Sequence, residues 1–131
     1  MTWDFRTEPE LQEDLDWIAS LVDEIELLDL VRDRMSRHQW LAVTAPLKQR
    51  VRERGLWAAH LDPDLGGQGL GQLPLALMHE ILGRTMSAPE IFGNQAPDSG
   101  NSELLAVGAT PSSANAGWTR CSKAGSPAAS P

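Results

Sequence analysis

Apolar positions recur with helical spacing along the first hundred residues. Near the N-terminus successive apolar residues are separated by four, three, four and three positions: Leu11, Leu15, Ile18, Val22 and Ile25. This spacing predicts one buried face on a helix over residues 9–30. Pro9 suits its first turn, and the neighbouring acids suit the positive end of the helix dipole. The stripe is shorter than the three or four heptads of a coiled coil, which favours packing within the domain.

Proline, threonine and glycine predict a second helix over residues 45–54. Thr44 is the expected N-cap, Pro46 falls in the first turn and Gly55 is the expected C-terminal stop. Arginines fill the last turn, as the negative end of the helix dipole prefers.

A third helix is predicted over residues 72–82, ended by Gly83. Its expected inner side carries Leu73, Leu77 and Ile81, and we expect Leu77, Ile81 and Trp57 to be buried. A fourth helical stretch is predicted from near Pro89, disturbed at Pro97 and continuing to Gly108.

No part of residues 1–108 alternates with the period of two that a half-buried strand requires. The predicted fold class is therefore all-α, with one helical domain over residues 1–108. From Ala109 onward the sequence changes to Ser, Ala, Pro, Gly and Thr without periodicity. Such a composition is typical of disorder, so residues 109–131 are predicted to be a disordered tail.

Charge and composition narrow the classes of function. Eighteen acidic and eleven basic residues give a net charge of −7, which would repel a phosphate backbone and disfavours a nucleic-acid partner. No apolar run reaches the roughly 18 residues of a membrane span. The acidic first sixteen residues do not resemble a targeting peptide, and a single cysteine, Cys121, allows no internal disulfide. A cytoplasmic location is the expectation.

The sign of the charge reverses after residue 29. Seven basic residues follow with only two acids among them: Arg32, Arg34, Arg37, Lys48, Arg50, Arg52 and Arg54. We interpret them mainly as a solvated face that pairs with acidic neighbours. Contact with a phosphate, including one on coenzyme A, is the alternative.

Three possible ligand motifs are incomplete. The glycine loop over residues 66–71 lacks the Lys-Ser/Thr pair of a phosphate loop and follows no strand, so a structural turn is favoured. Leu73 replaces the closing Glu of a calcium loop. His79-Glu80 is followed by Gly83 where a zinc protease has its second histidine. No metal site is predicted.

A longer series of motifs carries a family resemblance. Its parts are the turn Gly55-Leu56-Trp57, Pro63 followed by Gly66-Gly67-Gln68-Gly69, a helix carrying Glu80, the turn Gly83-Arg84, the early Trp3-Asp4-Phe5 and the segment Gln95-Ala96-Pro97-Asp98-Ser99-Gly100-Asn101. In this order and spacing the series resembles the N-terminal helical domain of acyl-CoA dehydrogenases. The resemblance covers residues 1–108 and is weakest at residues 27–42.

The resemblance implies a chemistry. Acyl-CoA dehydrogenases remove the α proton of an acyl-CoA thioester with a glutamate and pass the β hydrogen as hydride to FAD. They are homo-oligomers, and their catalytic base and most flavin contacts lie in later domains. The expectation is therefore the N-terminal fragment of such an enzyme, which is inactive alone, has no catalytic residues and binds no FAD by itself. A non-catalytic helical module that binds an acyl chain or a partner protein is the alternative.

The resemblance also implies a substrate pocket. Four polar residues fall where the family's helix lines the acyl-chain cavity: Gln95, Asp98, Ser99 and Asn101. Pro97 can loosen the helix there. Asp98 and Ser99 are equally suited to be N-caps, so a structural role stays open.

The change of composition at Ala109 suggests a shifted reading frame. Permissible codons for residues 109–130 can be read in another frame as DAEQRERWLDPLLEGRIASCF, which resembles the next segment of the same family. We predict a frameshift between about residues 105 and 109. The nucleotide sequence tests this, because an alternative frame should continue into that segment.

Overall fold

The computed structural model describes residues 6–65, 67–95 and 99–101, together with 104 and 108. Its four helices are α1, Pro9–Asp29; α2, Arg37–Glu53; α3, Gln72–Leu82; and the short α4, Ala88–Ile91. Two 3-10 turns lie at Arg32–Arg34 and Pro63–Leu65. The part of the chain that is described contains no strand, which confirms the all-α prediction. The predicted tail over residues 109–131 lies outside the described residues.

The first helix buries the face that its spacing predicts. Leu15, Ile18, Val22 and Ile25 lie in the core, joined by Leu21, while Leu11 packs at its edge. The helix contacts α3 along much of its length. No helix within the described ranges is long and apolar enough to cross a membrane.

The second helix begins eight residues earlier than predicted. Ser36 caps it in a capping box with Gln39, in which each side chain accepts a hydrogen bond from the other's backbone amide. Thr44 is therefore not the N-cap: it lies fully buried within the helix, and its hydroxyl donates to the carbonyl of Trp40 at 2.9 Å. The helix also continues through Pro46. Burial of Trp40 helps to stabilise the two additional turns.

The observed start of α2 gives a first prediction. Ser36→Ala should lower the free energy of unfolding by about 1 kcal/mol, because the amide of Gln39 loses its acceptor. Urea denaturation followed by circular dichroism measures this. Ser20→Ala, at an exposed position of α1, is the control and should stay within about 0.5 kcal/mol of the unmodified chain. Equal stabilities for the two variants would contradict a helix that starts at Ser36.

The third helix has the predicted bounds but a different inner face. Met78 and Leu82 are buried, whereas Leu73 is 71% exposed. Leu77 and Ile81, expected in the core, are partly buried at its edge, as is Trp57. The helix is apolar around most of its circumference, so contact with α1 decides its rotation.

Arg50 and Arg54 of the basic cluster, and Arg84 after α3, form ion pairs with the acidic first helix. Arg50 forms a bidentate pair with Glu24 at 2.7 and 3.0 Å, which lowers the pKa of that carboxyl. Arg54 lies 2.9 Å from Asp14, and Arg84 lies 2.7 Å from Asp23. These contacts agree with the interpretation of the cluster as a solvated, paired face. Each exposed pair contributes little to stability, but together they fix α2 and the end of α3 against α1.

Candidate functional site

A glycine-rich turn between α2 and α3 folds back on itself through backbone hydrogen bonds. The amide of Gly69 donates to the carbonyl of Leu61 at 2.7 Å, and that of Gly67 donates to Asp62 at 3.2 Å. Gly67 is buried against the carbonyls of Ala58 and Leu61. Because these amides are already bonded within the turn, they are not free to bind phosphate. The geometry therefore favours the structural-turn interpretation.

The same turn is tied to the end of α4. The amide of Ala58 donates to the carbonyl of Phe92 at 2.9 Å. Gly93 follows with φ +74°, and its backbone packs so closely on the Trp57 indole that a Cβ would lie 2.8 Å from the ring. This left-handed glycine helps to end α4 at Ile91, and the described residues in the later part of the predicted stretch, 99–101, 104 and 108, are again in helical conformation. Pro97, where that disturbance was predicted, lies outside the described residues.

A partly buried hydrogen bond joins the turn to the segment that follows α4. His60 Nδ1 lies 3.1 Å from Asn94 Oδ1. With the proton on Nδ1, the histidine donates and the amide oxygen accepts. His60 Nε2 and Asn94 Nδ2 are both buried without a hydrogen-bond partner. The pair fixes where the chain leaves α4, and so where Gln95 and the following residues begin.

The predicted pocket residues lie on this segment. Gln95 is exposed, and its carbonyl accepts a hydrogen bond from the amide of Ser99 at 3.1 Å. Ser99 is partly buried and Asn101 is exposed, both in helical conformation. Asp98 lies outside the described residues. This hydrogen bond brings the backbones of Gln95 and Ser99 together, while their role in a pocket stays a prediction.

Sequence reasoning missed the residues that support this segment. Neither His60 nor Asn94 was singled out as a functional residue. They are 34 positions apart and both lie in irregular structure, so no periodicity relates them. The order Gly93-Asn94 after a short helix was the available signal, since glycine followed by a polar residue marks a helix end.

An ion pair anchors α4 to the second helix. Lys48 Nζ lies 3.1 Å from Glu90 Oε1, and the indole nitrogen of Trp40 donates to Glu90 Oε2 at 3.4 Å. The lysine is buried and the glutamate is partly buried. Two donors thus satisfy one carboxylate, which holds α4 and the segment after it against α2.

The histidines near the turn predict a dependence of stability on pH. Desolvation of its ring by neighbouring atoms, and then repulsion by nearby His60, lowers the pKa of His79 below its ordinary value of 6.5. The unfolded chain therefore takes up the proton first, and the stability contributed by neutral His79 is lost as the pH falls through 6.5 towards the folded pKa.

Among the described residues, no three histidine, cysteine or acidic side chains are grouped as a metal site would require.

We expect the free energy of unfolding to fall between pH 7 and pH 5, with a shallower slope in His79→Gln. Urea denaturation at several pH values measures the slope. His38→Gln is the matched control, because His38 is exposed in the first turn of α2, away from His60. The same slope in His79→Gln as in the unmodified chain would contradict the assignment.

The curated proteins that this chain resembles are named acyl-CoA dehydrogenase family members. The chain is 34% identical over 84 residues to acyl-CoA dehydrogenase family member 10 of Mus musculus, a match that covers 59% of this chain. It is 40% identical over 63 residues to family member 11 of Rattus norvegicus and 42% identical over 59 residues to that of Gallus gallus, covering 48% and 45% of this chain. The chain is related to acyl-CoA dehydrogenases. No protein-family model and no solved structure matches it.

The relation to acyl-CoA dehydrogenases covers a small part of those proteins. The matches span 8% of the mouse and rat relatives and 7% of the chicken relative. These matches support the resemblance of the sequence to acyl-CoA dehydrogenases. Similarity over this small part does not show that this chain has the activity of the full-length relatives.

Proposed function

We propose that this chain is the N-terminal helical layer of an FAD-dependent acyl-CoA dehydrogenase and forms one wall of its acyl-chain pocket. The observation that carries the proposal is the segment from Asn94 to Asn101. Its start is held by the His60 hydrogen bond and by the bond between Ala58 and Phe92. The kinship with named acyl-CoA dehydrogenase family members supports the same role.

Such a wall would bind the acyl chain and shield the reacting carbons from water. An acyl chain gains about 25 cal/mol for each Å² of apolar surface removed from water. A closed wall also keeps water away from the reacting α and β carbons. Polar side chains such as Ser99 limit how far an apolar chain reaches, because they lose hydrogen bonds to water when it covers them.

Because most flavin contacts of acyl-CoA dehydrogenases lie in later domains, we expect no flavin site on the described residues alone. Among their side chains, the buried polar atoms without a partner are His60 Nε2 and Asn94 Nδ2, and both lie below the surface where a dinucleotide cannot reach them. FAD, when bound to a complete enzyme, would supply the hydride acceptor. No proton or hydride transfer is assigned to residues of this chain.

Acyl-CoA binding tests the proposal. Backbone amide signals of Asn94, Gln95, Ser99 and Asn101 should shift on titration with octanoyl-CoA but not with free coenzyme A, because the acyl chain alone fills the pocket. Ser99→Phe should weaken the response about fivefold or more, as expected for a contact worth about 1 kcal/mol. Ser20→Phe makes the same change at an exposed position of α1 and should have no effect.

Two results would overturn this role. One is an equal response to octanoyl-CoA and coenzyme A, which would place any binding at the nucleotide end of the ligand. The other is an unchanged affinity in Ser99→Phe with the fold intact by circular dichroism.

A further inference from the structure

Arg52 differs from the arginines on either side of it because it has no acidic partner among the residues that the structure describes. Arg50 and Arg54, on either side, are paired with carboxylates of α1. Arg52 makes no hydrogen bond or ion pair with any residue that the structure describes, although its side chain is partly buried. Glu53, its immediate neighbour, accepts a hydrogen bond from Gln49 at 2.9 Å instead.

The guanidinium of Arg52 is held by stacking on an indole. Its central carbon lies 4.0 Å from the centre of the Trp57 ring, closer than the 5.2 Å between Arg32 and Trp40. Trp57 is itself packed against the backbone of Gly93. Stacking restricts the side chain's motion while leaving its N–H groups without acceptors among the described residues.

We propose that Arg52, held on Trp57, binds an oxyanion of a small molecule, either a phosphate or a carboxylate. A guanidinium matches both groups because it donates two parallel hydrogen bonds to paired oxygens. Cation–π stacking contacts the face of the guanidinium and leaves N–H groups at its edge for such bonds. Partial burial lowers the pKa of Arg52, and a bound anion would offset that cost.

The site is separate from the proposed acyl-binding segment. It needs neither FAD nor an acyl chain, so it stands even if the dehydrogenase role of this chain fails. Lys48, one turn earlier in α2, is paired with Glu90, so among the described residues Arg52 is the unpaired cation at this end of the helix. Because the attraction between Arg52 and the anion is electrostatic, binding should weaken as ionic strength rises.

Titration with simple anions tests the site. The Nε–H signal of Arg52 is followed by nuclear magnetic resonance while inorganic phosphate or acetate replaces chloride at constant ionic strength. A saturable shift at Arg52 is expected with at least one of the two, and a stronger response to one distinguishes phosphate from carboxylate recognition. Arg34, exposed in the 3-10 turn, should show no saturation.

Three variants test whether anion binding depends on the guanidinium of Arg52. Arg52→Gln should reduce affinity for the preferred anion, read from backbone amide shifts around residue 57, about tenfold or more, as loss of a charge-assisted pair implies. Arg52→Lys keeps the charge but not the planar donor pair and should weaken binding by a smaller factor. Arg34→Gln is the control and should bind normally. A linear response to both anions, or equal affinity in Arg52→Gln and Arg34→Gln, would overturn the proposal.

Discussion

Gly67→Ala is expected to destabilise the fold by about 3 kcal/mol or more, the size typical of a severe backbone clash. A Cβ at this position would lie 2.6 Å from the carbonyl oxygen of Ala58 and would collide with that of Leu61. Neither atom is a flexible side-chain end, so the turn itself would have to open. Its hydrogen bonds, including that from Gly69 to Leu61, would be strained together.

Urea denaturation of the 131-residue chain measures this loss. Gly71→Ala is the matched control, because the added Cβ would meet only Pro74, at 3.9 Å. Gly71 is the N-cap of α3, and its replacement should cost less than about 1 kcal/mol. Similar stabilities for the two alanine variants would show that the turn is not packed as described.

Phe92→Ala should destabilise the fold by about 3–5 kcal/mol, the usual cost of removing a buried aromatic side chain. Phe92 is fully buried and meets the Trp17 ring edge to face, with 6.4 Å between ring centres. The substitution keeps the backbone bond from Ala58 to residue 92, so the loss reports on core packing. Because Phe92 directly precedes Gly93 and Asn94, the segment after α4 should loosen as well.

Two comparisons make the Phe92 result specific. Phe92→Leu refills most of the volume and should cost clearly less than alanine. Met86→Ala, at a side chain that is 76% exposed, should stay within about 0.5 kcal/mol of the unmodified chain. Hydrogen exchange at Asn94 and Gln95 should accelerate in Phe92→Ala and not in Met86→Ala. Unchanged hydrogen exchange in Phe92→Ala would show that core packing at Phe92 does not hold the segment after α4.

Helix α1 could be predicted from the sequence because its apolar and acidic residues alternate with a clear period. Four of the five expected core positions are buried, and both ends fall within one residue of the predicted bounds. Helix α3 gave correct bounds but the wrong face, since Leu73, Met78 and Leu82 are equally apolar. Periodicity cannot choose a face when nearly every side is hydrophobic.

The start of α2 was mispredicted because two local signals compete. Thr44 followed by Pro46 is a good helix start in isolation. Ser36 with Gln39 is a better one, and the tertiary contact from Trp40 to Glu90 supports the longer helix. Local sequence contains both signals, but only the folded chain decides between them.

The candidate site was predictable only in part. A family resemblance indicated Gln95, Ser99 and Asn101, and the structure describes them on one segment after α4. The support from His60 depends on a contact across 34 residues, which a single sequence does not reveal. Motif order therefore indicated where to look, while packing determined what holds the segment in position.

The absorbance spectrum of the purified chain, taken with an acyl-CoA turnover assay, tests the central claim most directly. If the chain is a pocket wall without a flavin site of its own, it should show no absorbance band at about 450 nm, where oxidised flavin absorbs. It should also not reduce an electron acceptor when octanoyl-CoA is added. A yellow protein with one FAD per chain that turns over octanoyl-CoA would contradict the account.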